Sequence, residues 1–521
     1  MAISRLPRHL RRYVVPQNYE AYTPRDQALW RHLMRKLSTL LKQVAHPVYL
    51  EGLAATGIDL EHIPSLDQMN DRLARFGWSA VAVRGFIPPA VFTELQSLRV
   101  LAIAEDIRDH AHVAYTPAPD IVHESAGHAP ILAVPRYAEY LERCGEVGFR
   151  AIASREDNEV FDAIRHLSIV KEDPSATPDD AARAERRLTE ALASRRYASE
   201  NSRASRLYWW TAEYGLVGRL DAPKLYGAGL LSSLGEAEHC LTDAVRKVPL
   251  SLACVDTDYD ITRMQPQLFV ARDFDHLFEV LEAFRATMAW QRGGEYGLEE
   301  ALKARSVNHL GLDDGRQVSG VVAELLPSIR PPAPGLSSSA ARLTGPVQLA
   351  RGGRAIGAPF SGDAFVVFGE GRLPERGAFS LTLASGLRLE GFSLGGNEVR
   401  DLRATLGDRR VATAERALLL FSLNLPSVAG GPADPGSWDT NFGEANPLHA
   451  GEGEAEARAK KAASLPRKAA ALYERVRALH VVGSCDQRAI NELAREAAAF
   501  PDEWLLRDEI DQLNAALEPA A

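Results

Sequence analysis

The sequence predicts a mainly α-helical domain, followed by a small β-rich domain and a C-terminal helical segment. Three observations lead to this fold class. Apolar residues recur with the period of a helix from Asp26 to about Asn308. A stretch rich in Pro and Ser at 327–346 interrupts that pattern, and short alternating runs broken by Gly follow at 364–371 and 379–394. The helical period then returns after residue 465.

Within the helical domain, the clearest element is the segment 26–44, whose Leu and Trp residues fall on one helix face. The pair Ser65 and Gln68 has the form of a capping box and predicts the start of another helix. Residues 176–204 are Ala-rich and strongly charged, which is typical of a solvent-facing helix.

Changes in composition divide the chain further. Pro, Gly, Glu and Ala dominate 426–464, which has little apolar content and is predicted to be flexible. The predicted parts are the helical domain 1–325, a linker 326–346, the small β-rich domain 347–425, a flexible linker 426–464 and the helical C-terminal segment 465–521. No residue cluster in the C-terminal third suggests chemistry, so we expect a scaffold there, or a module that contacts a second copy or a protein partner.

The composition excludes several classes of function. The 521 residues carry 60 Lys and Arg against 69 Asp and Glu, a net charge of −9, which argues against a general nucleic-acid binder. The four cysteines form no C-x-x-C pair, so neither a disulfide framework nor a cysteine zinc site is indicated. The basic N-terminus lacks the apolar core of a secretory signal, and no stretch approaches the roughly 18 apolar residues of a membrane span. We therefore expect a cytoplasmic protein that binds neither nucleic acid nor membrane.

The segment 115–128 contains the pattern H-E-x-x-x-H, formed by His123, Glu124 and His128. A zinc-protease helix needs H-E-x-x-H, because a spacing of five turns the second imidazole about 140° away from the first. Gly127 would let the helix end or deform, so that the second imidazole can face the same metal. From these residues alone, a metal site and ordinary surface or core histidines are equally good interpretations.

A carboxylate further along the chain favours the metal site. Glu213 lies in the aromatic and apolar stretch 206–219, where a carboxylate must be paired, protonated or bound to a metal. A structural salt bridge to an Arg is the alternative. Two imidazoles and one carboxylate form the facial triad of non-heme Fe(II) oxygenases, which leaves coordination positions open.

Four segments then point to a family by resemblance. Residues 107–132, 208–216, 225–241 and 259–270 closely resemble, in this order, the pterin-dependent aromatic amino acid hydroxylases, especially the bacterial phenylalanine 4-hydroxylases. The resemblance covers roughly residues 20–300. It implies that the helical domain is a catalytic domain with the aromatic amino acid hydroxylase fold, and that Fe(II) acts there with tetrahydrobiopterin, or a related tetrahydropterin, and O₂.

The resemblance also implies roles for single residues. His123, His128 and Glu213 would be the catalytic iron ligands. Arg108 occupies the position of the arginine that binds the substrate carboxylate, which a planar guanidinium can clamp through two parallel N–H···O bonds. Hydroxyl contacts to that carboxylate are implied for Thr116 and Ser232, and the pocket of the aromatic ring for Pro119, Trp209, Tyr214 and Gly229.

Further positions are implied for the pterin. Phe92 falls at a stacking position, Ile87 at a backbone contact, and Glu124 close to the pterin. Asp120 and Glu236 would act behind these groups by orienting an imidazole or a backbone amide.

By analogy with the bacterial members, we expect a monooxygenase that converts free L-phenylalanine to L-tyrosine. Two departures bear on the substrate: Tyr214 stands where the family usually has Phe, and Ser125-Ala126 where Leu-Leu is common. Tryptophan or tyrosine hydroxylation by the same mechanism is therefore an alternative. A non-catalytic metal- or pterin-binding sensor with a C-terminal partner module is a second alternative, and a zinc hydrolase with Glu124 as general base is a third.

Overall fold

The computed structural model describes residues 5–110, 113, 120–173, 175–261, 263–438, 465–482 and 486–515. The α-helices of this part of the chain are α1 (Pro24–Val44), α2 (Val48–Ala55), α3 (Leu66–Leu73), α4 (Pro89–Ser97), α5 (Pro135–Phe149), α6 (Arg155–Glu172), α7 (Pro178–Ser194), α8 (Glu200–Tyr208), α9 (Ala228–Ser232), α10 (Leu234–His239), α11 (Phe274–Arg285), α12 (Ala289–Arg292), α13 (Gly294–Ala304), α14 (Arg467–Val482), α15 (Gln487–Ala497) and α16 (Trp504–Ala515).

The strands form three sheets. They are β1 (Val14–Val15), β2 (Ser79–Val83), β3 (Val100–Ala104), β4 (Leu216–Arg219), β5 (Ala222–Leu225), β6 (Arg246–Pro249), β7 (Gln267–Ala271), β8 (Val307–Gly311), β9 (Arg316–Leu326), β10 (Ala340–Arg351), β11 (Arg354–Ala355), β12 (Asp363–Phe368), β13 (Gly377–Thr382), β14 (Leu387–Gly395), β15 (Glu398–Leu406), β16 (Arg409–Ser422) and β17 (Ser427–Gly430). Two small sheets, in the orders β1-β2-β3 and β5-β4-β7-β6, lie within the helical domain.

Local sequence signals explain where the first helices begin. Helix α1 starts at a capping box, in which Thr23 and Asp26 bond each other's backbone N–H, and its apolar stripe is buried as predicted. Helix α3 also begins where its sequence predicts. Ser65 nevertheless makes no side-chain cap there, so the predicted capping box with Gln68 is not formed. The N–H of Leu66, the first residue of the helix, donates to the side-chain oxygen of Gln17 at 2.9 Å.

The β-rich part is one ten-stranded sheet in the order β13-β14-β15-β16-β12-β10-β9-β8-β17, with β11 paired to β10. Strands β12 and β16 run parallel, and the other pairs of this sheet are antiparallel. Leu298 of α13 joins a core on one face of the sheet with Leu310 and Val366. Phe365 and Phe379 belong to a second core on the opposite face. The predicted order of helical domain, β-rich region and C-terminal helices is confirmed, with a sheet larger than predicted.

The sheet extends beyond the predicted β-rich domain 347–425. Strands β8 and β9 precede that range, and β10 begins inside the predicted linker. The Pro- and Ser-rich residues 327–339 connect β9 to β10, whose antiparallel register pairs Leu326 with Ala340. Composition does not distinguish such a connection within a sheet from a linker between domains. Strand β17 likewise lies inside the predicted flexible linker, of which 439–464 lies outside the described residues.

The C-terminal helices return to the helical domain, where α14 and α16 pack against α1 and α15 packs against α14 and α16. Arg31 donates two hydrogen bonds to Glu509, at 2.6 and 2.7 Å, and both side chains are almost completely buried. Arg25 pairs with Glu503 at 3.1 Å in the same interface. This segment, predicted to be helical, therefore shares its core with the first helix of the chain. None of the described helices combines the length and apolarity that crossing a bilayer demands.

Candidate active site

Two short π-helical turns carry the three residues of the predicted iron site. The first covers Val122–His128 and the second Trp209–Glu213. In a π-helix the backbone hydrogen bond joins residue i to residue i+5, so a spacing of five brings His123 and His128 to the same side of the turn. The helix deformation predicted from the H-E-x-x-x-H spacing is therefore present, and it removes the angular separation that a regular α-helix would impose.

Glycines let helix α9 pack against both turns. A Cβ atom on Gly127 would lie 2.7 Å from the carbonyl oxygen of Ala228, closer than real Cβ atoms approach. A Cβ atom on Gly227, just before α9, would overlap the carbonyl oxygen of Glu213. The two turns are thus held on a common helix, which brings residues that are far apart in the sequence into one site.

His123, His128 and Glu213 converge as the sequence predicts. Their potential ligand atoms all lie within 4.8 Å of one another. The Nε2 atom of His123 is 3.2 Å from one carboxylate oxygen of Glu213, and the Nε2 atom of His128 is 3.1 Å from the other. The side chains are 14%, 1% and 12% exposed, so water reaches the group mainly through the cavity beside it. This is the donor set of a facial triad.

Ser232 fixes the orientation and tautomer of His123. The Ser232 hydroxyl donates to the carbonyl oxygen of Ala228 at 2.7 Å, and its oxygen lies 3.0 Å from His123 Nδ1. Because the hydroxyl proton is used by Ala228, the oxygen accepts from Nδ1–H. The other ring nitrogen, Nε2, then carries the lone pair and faces the carboxylate of Glu213. The sequence predicts Ser232 only as a substrate contact, and the structure adds this bond to the histidine.

The electrostatics of the group favour a bound cation. Burial alone would raise the pKa of Glu213, but His128 and His123 hold the pKa of that carboxyl well below its usual value. Burial raises the pKa of the neighbouring Glu124 to about 8, and the negative charges of Glu213 and Asp120 add to that effect. Glu124 lies 3.9 Å from His128 Nε2. The ionised carboxylate of Glu213 beside two imidazoles is an environment that a divalent metal neutralises.

Arg108 is buried and is held in place by Asp120. The two side chains are 0% and 4% exposed. Asp120 accepts hydrogen bonds from the backbone N–H, Nε and Nη2 of Arg108 at 2.9, 2.8 and 2.9 Å. It also accepts the backbone N–H of His123 at 3.0 Å, so one carboxylate ties the arginine to the histidine turn. Within the described chain Nη1 of Arg108 is buried without a hydrogen-bond partner, and the residue lines the cavity.

An aromatic stack forms one wall of the cavity. The ring of Trp209 lies between Tyr214, at a centroid distance of 4.5 Å, and Tyr259, at 4.2 Å. Gly229 makes room for this stack, because a Cβ atom there would lie 2.7 Å from the ring of Tyr214. Trp209, Tyr214 and Gly229 therefore meet as predicted for a ring pocket. Thr116 and Pro119, predicted for the same substrate site, lie outside the described residues.

These groups surround a cavity of about 350 Å³. Ile87, Phe92 and Glu124, the residues predicted to contact a pterin, line the same cavity. The ring of Phe92 meets the ring of Tyr208 edge to face at 5.7 Å. One cavity thus joins the predicted cofactor residues, the imidazole and carboxylate groups, and the predicted substrate residues.

Glu236, predicted to orient an imidazole or a backbone amide, does not line this cavity. It is fully buried on α10, and its carboxylate accepts the backbone N–H of Gln265 at 3.2 Å. Burial raises the pKa of Glu236 to about 7, and the Gln265 bond opposes that effect. Among the described residues, Glu236 thus orients a backbone amide and not an imidazole.

Two aromatic residues for which the sequence predicts no role also belong to the site. Tyr208 lines the cavity with its ring centroid 6.4 Å from that of His128, and Tyr259 completes the stack on Trp209. Both lie in segments that resemble the family. A buried tyrosine is as often a core residue as a site residue, however, and only the tertiary structure separates these two cases.

Comparisons with known proteins relate the chain to one family. The family model described as biopterin-dependent aromatic amino acid hydroxylase matches residues 12–167 and 191–301. The phenylalanine-4-hydroxylase of Chromobacterium violaceum is 30% identical over 270 residues, which span 51% of this chain and 76% of that protein. A Mesorhizobium japonicum phenylalanine-4-hydroxylase is 29% identical over 283 residues, 53% of this chain and 86% of that protein. A crystal structure of the Chromobacterium violaceum enzyme with iron(III) and 7,8-dihydrobiopterin is 27% identical, covers 55% of this chain and 91% of that chain, and has a TM-score of 0.42.

Proposed function

Because the chain belongs to the family of biopterin-dependent aromatic amino acid hydroxylases, we propose that it hydroxylates free L-phenylalanine to L-tyrosine. The co-substrates are O₂ and a tetrahydropterin, and the metal is Fe(II). The choice of phenylalanine is supported by the relatives, whose names give phenylalanine as the substrate. We also propose that it acts in the cytoplasm, in line with its scattered cysteines.

The observation that carries the proposal is the convergence of His123, His128 and Glu213 beside an apolar cavity. The donor set fits Fe(II): two imidazole nitrogens and one carboxylate, each within 4.8 Å of the others, bind one face of a metal and leave the opposite face for ligands. Nε2 of His128 is buried 3.1 Å from the carboxylate of Glu213, so both groups can bind the same metal.

When bound, Fe(II) and the reduced pterin would activate O₂, one atom of which enters the ring. The protein supplies charge and orientation. Ser232 holds His123 with Nε2 toward the metal position, and the low pKa of Glu213 keeps that carboxylate ionised across the neutral range.

The substrate would be oriented by two features of the cavity. Arg108 is presented by Asp120 with Nη1 unpaired within the described chain, so a carboxylate can take up that donor. Trp209 and Tyr214 form a rigid apolar wall against which an aromatic ring can pack, with Gly229 leaving the space. Holding the amino acid at both ends places the ring at a fixed distance from the metal, which is how positioning contributes to rate.

The proposal is tested by incubating the iron-loaded protein with O₂, tetrahydrobiopterin and an equimolar mixture of Phe, Tyr and Trp, and by following the products by mass spectrometry. We expect tyrosine from phenylalanine as the main product, and no product from His123→Ala. His166→Ala is the matched control, because it makes the same change at an exposed position on α6. A main product from Trp or Tyr would overturn the substrate, and no product from iron-loaded protein would overturn the function.

A further inference from the structure

The last described part of the β-rich region docks onto the helical domain. The family model ends at residue 301, so strand β17 and residues 431–438 lie outside it. The N–H of Gly430 donates to the carbonyl oxygen of Arg150 at 3.0 Å. A Cβ atom on Gly430 would overlap the carbonyl oxygen of Ala151, so the two backbones are in direct contact. The β-rich region is therefore fixed to the segment that joins α5 to α6.

Residues 431–438 leave this junction along a fixed path. The N–H of Ala433 donates to the hydroxyl oxygen of Ser319, on strand β9, at 2.9 Å. Gly431 has a φ angle of +70°, and a Cβ atom there would lie 2.8 Å from the indole ring of Trp438. The bond to the sheet and this close contact together hold the side chain of Trp438 in place.

Trp438 lies behind residues 85–90, which join β2 to the first turn of α4. Most of these residues line the main cavity, namely Gly85, Phe86, Ile87 and Pro89. Residues 88–90 and Trp438 together line a second cavity of about 50 Å³. Trp438 and Ile87 pack against the same small core, which contains Val83 of β2 and Val91 of α4. One tryptophan from outside the family match thus supports the wall of the main cavity without lining that cavity itself.

Packing, and not hydrogen bonding, positions residues 85–87. Among the described residues, the backbone N–H groups of these three residues make no hydrogen bond. A segment of this kind moves at low cost in free energy unless its side chains are held. The side chains of Ile87 and Phe92 are only half-buried, so their positions depend on the core that they share with Trp438.

We propose that Trp438 is a positioning residue for the cofactor end of the active site. Its indole ring holds residues 85–90 in the conformation that receives the pterin, which makes the β-rich region part of the hydroxylase. The substrate end has a separate support, since Asp120 fixes Arg108. Loss of the indole should therefore weaken pterin binding and leave phenylalanine binding unchanged. This inference rests on the proposed function and extends it, because it gives the β-rich region a role in cofactor affinity.

Calorimetric titration of the iron-loaded, full-length protein without O₂ tests this role, with 7,8-dihydrobiopterin and phenylalanine as separate probes. We expect Trp438→Ala to weaken dihydrobiopterin binding roughly 2- to 10-fold, because the pterin must then order a side chain that is fixed in the wild type. The affinity for phenylalanine should not change. Trp438→Phe keeps an aromatic ring and should recover most of the pterin affinity. In steady-state assays, Trp438→Ala should raise the KM for tetrahydrobiopterin and leave the KM for phenylalanine unchanged.

Trp504→Ala is the matched control. Trp504 is also a half-buried tryptophan outside the family match, but its ring meets His32 of α1 edge to face at 4.9 Å and does not line the main cavity. Its replacement should leave the affinities for both ligands unchanged.

The outcomes separate this role from the proposed function. Unchanged dihydrobiopterin affinity in Trp438→Ala, or equal losses for both ligands, would overturn the positioning role even where the wild type hydroxylates phenylalanine. Failure of the wild type to bind dihydrobiopterin would overturn the proposed function itself. Circular dichroism spectra and thermal unfolding show whether each variant is folded. Trp438→Leu, which fills more of the space, provides the same test if Trp438→Ala does not fold.

Discussion

Replacing Asp120 by Asn tests how Arg108, the arginine proposed to bind the substrate, is held. The change removes the negative charge of residue 120. It also leaves a single carbonyl oxygen to accept the hydrogen bonds that two carboxylate oxygens accept in the wild type. Asp120 accepts three hydrogen bonds from Arg108 and one from His123, all between 2.8 and 3.0 Å. The guanidinium would stay buried, with its side chain 0% exposed and without its charge partner.

The expected loss of stability follows from the burial of the Arg108–Asp120 ion pair. Removing one partner of a buried ion pair costs about 3–5 kcal/mol, because an uncompensated charge remains inside the protein. Burial raises the pKa of Asp120, but Arg108 outweighs that effect and lowers it below its usual value. A lowered folded-state pKa contributes stability above the unfolded-state pKa of about 3.9, and the contribution is lost as the pH falls through the folded-state pKa. The difference between wild type and Asp120→Asn should therefore be constant from pH 5 to 8 and shrink below about pH 4.

Urea unfolding followed by circular dichroism at several pH values measures this difference, and steady-state kinetics give the KM for phenylalanine. We expect Asp120→Asn to be less stable than the wild type and to have a higher KM for phenylalanine, because Asp120 no longer fixes Arg108. Asp221→Asn is the matched control: Asp221 pairs with Arg219 on the surface, where both side chains are mostly exposed, and should change stability little. A variant as stable as the wild type at pH 7, or a difference that persists unchanged at pH 3, would refute the reasoning.

Three other changes test separate contacts. Glu236→Gln should remove a pH dependence of unfolding: burial raises the pKa of Glu236 from 4.5 to about 7, so the wild type should lose up to about 3 kcal/mol between pH 5 and 8 in urea unfolding, and the variant should not. An equal loss in both proteins would contradict this. Gly229→Ala should lower kcat/KM about 10- to 100-fold in steady-state assays, because its methyl group would displace the ring of Tyr214, whereas Tyr214→Phe should keep most activity. Unchanged kinetics in Gly229→Ala would count against the ring pocket. Glu509→Gln should lower the free energy of unfolding by about 3–5 kcal/mol, by leaving Arg31 buried without its partner, yet leave kcat/KM of the folded enzyme unchanged. A loss of kcat/KM in a variant of normal stability would instead connect the C-terminal helices to catalysis.

Local patterns account for the parts of the fold that the sequence predicts well. The period of apolar residues predicts α1, because the helix buries one continuous stripe. The spacing of His123 and His128 predicts a deformed helix, since a metal site and a regular α-helix are incompatible at that spacing. The convergence of Glu213 with both histidines is expected from the family resemblance, and the structure places the three side chains together.

The features that the sequence does not predict depend on contacts between distant segments. The bond from His123 to Ser232 requires α9 to lie beside the first π-helical turn, which no local pattern specifies. Helix α16 is amphipathic, but nothing in its own sequence identifies Arg31 as the partner of Glu509, which is 478 residues away. The sequence also does not predict where the sheet begins and ends. A composition rich in Pro and Ser is typical of irregular chain, and such chain occurs both within and between domains.

The most direct test of the central claim is the origin of the oxygen atom in the product. Iron-loaded protein is incubated with phenylalanine, tetrahydrobiopterin and ¹⁸O₂, beside a Glu213→Gln variant and a reaction without pterin. The account predicts tyrosine that carries one ¹⁸O atom in its hydroxyl group, and no tyrosine from the variant or without pterin. Tyrosine whose new oxygen comes from water, or labelled tyrosine formed equally well by Glu213→Gln, would contradict it.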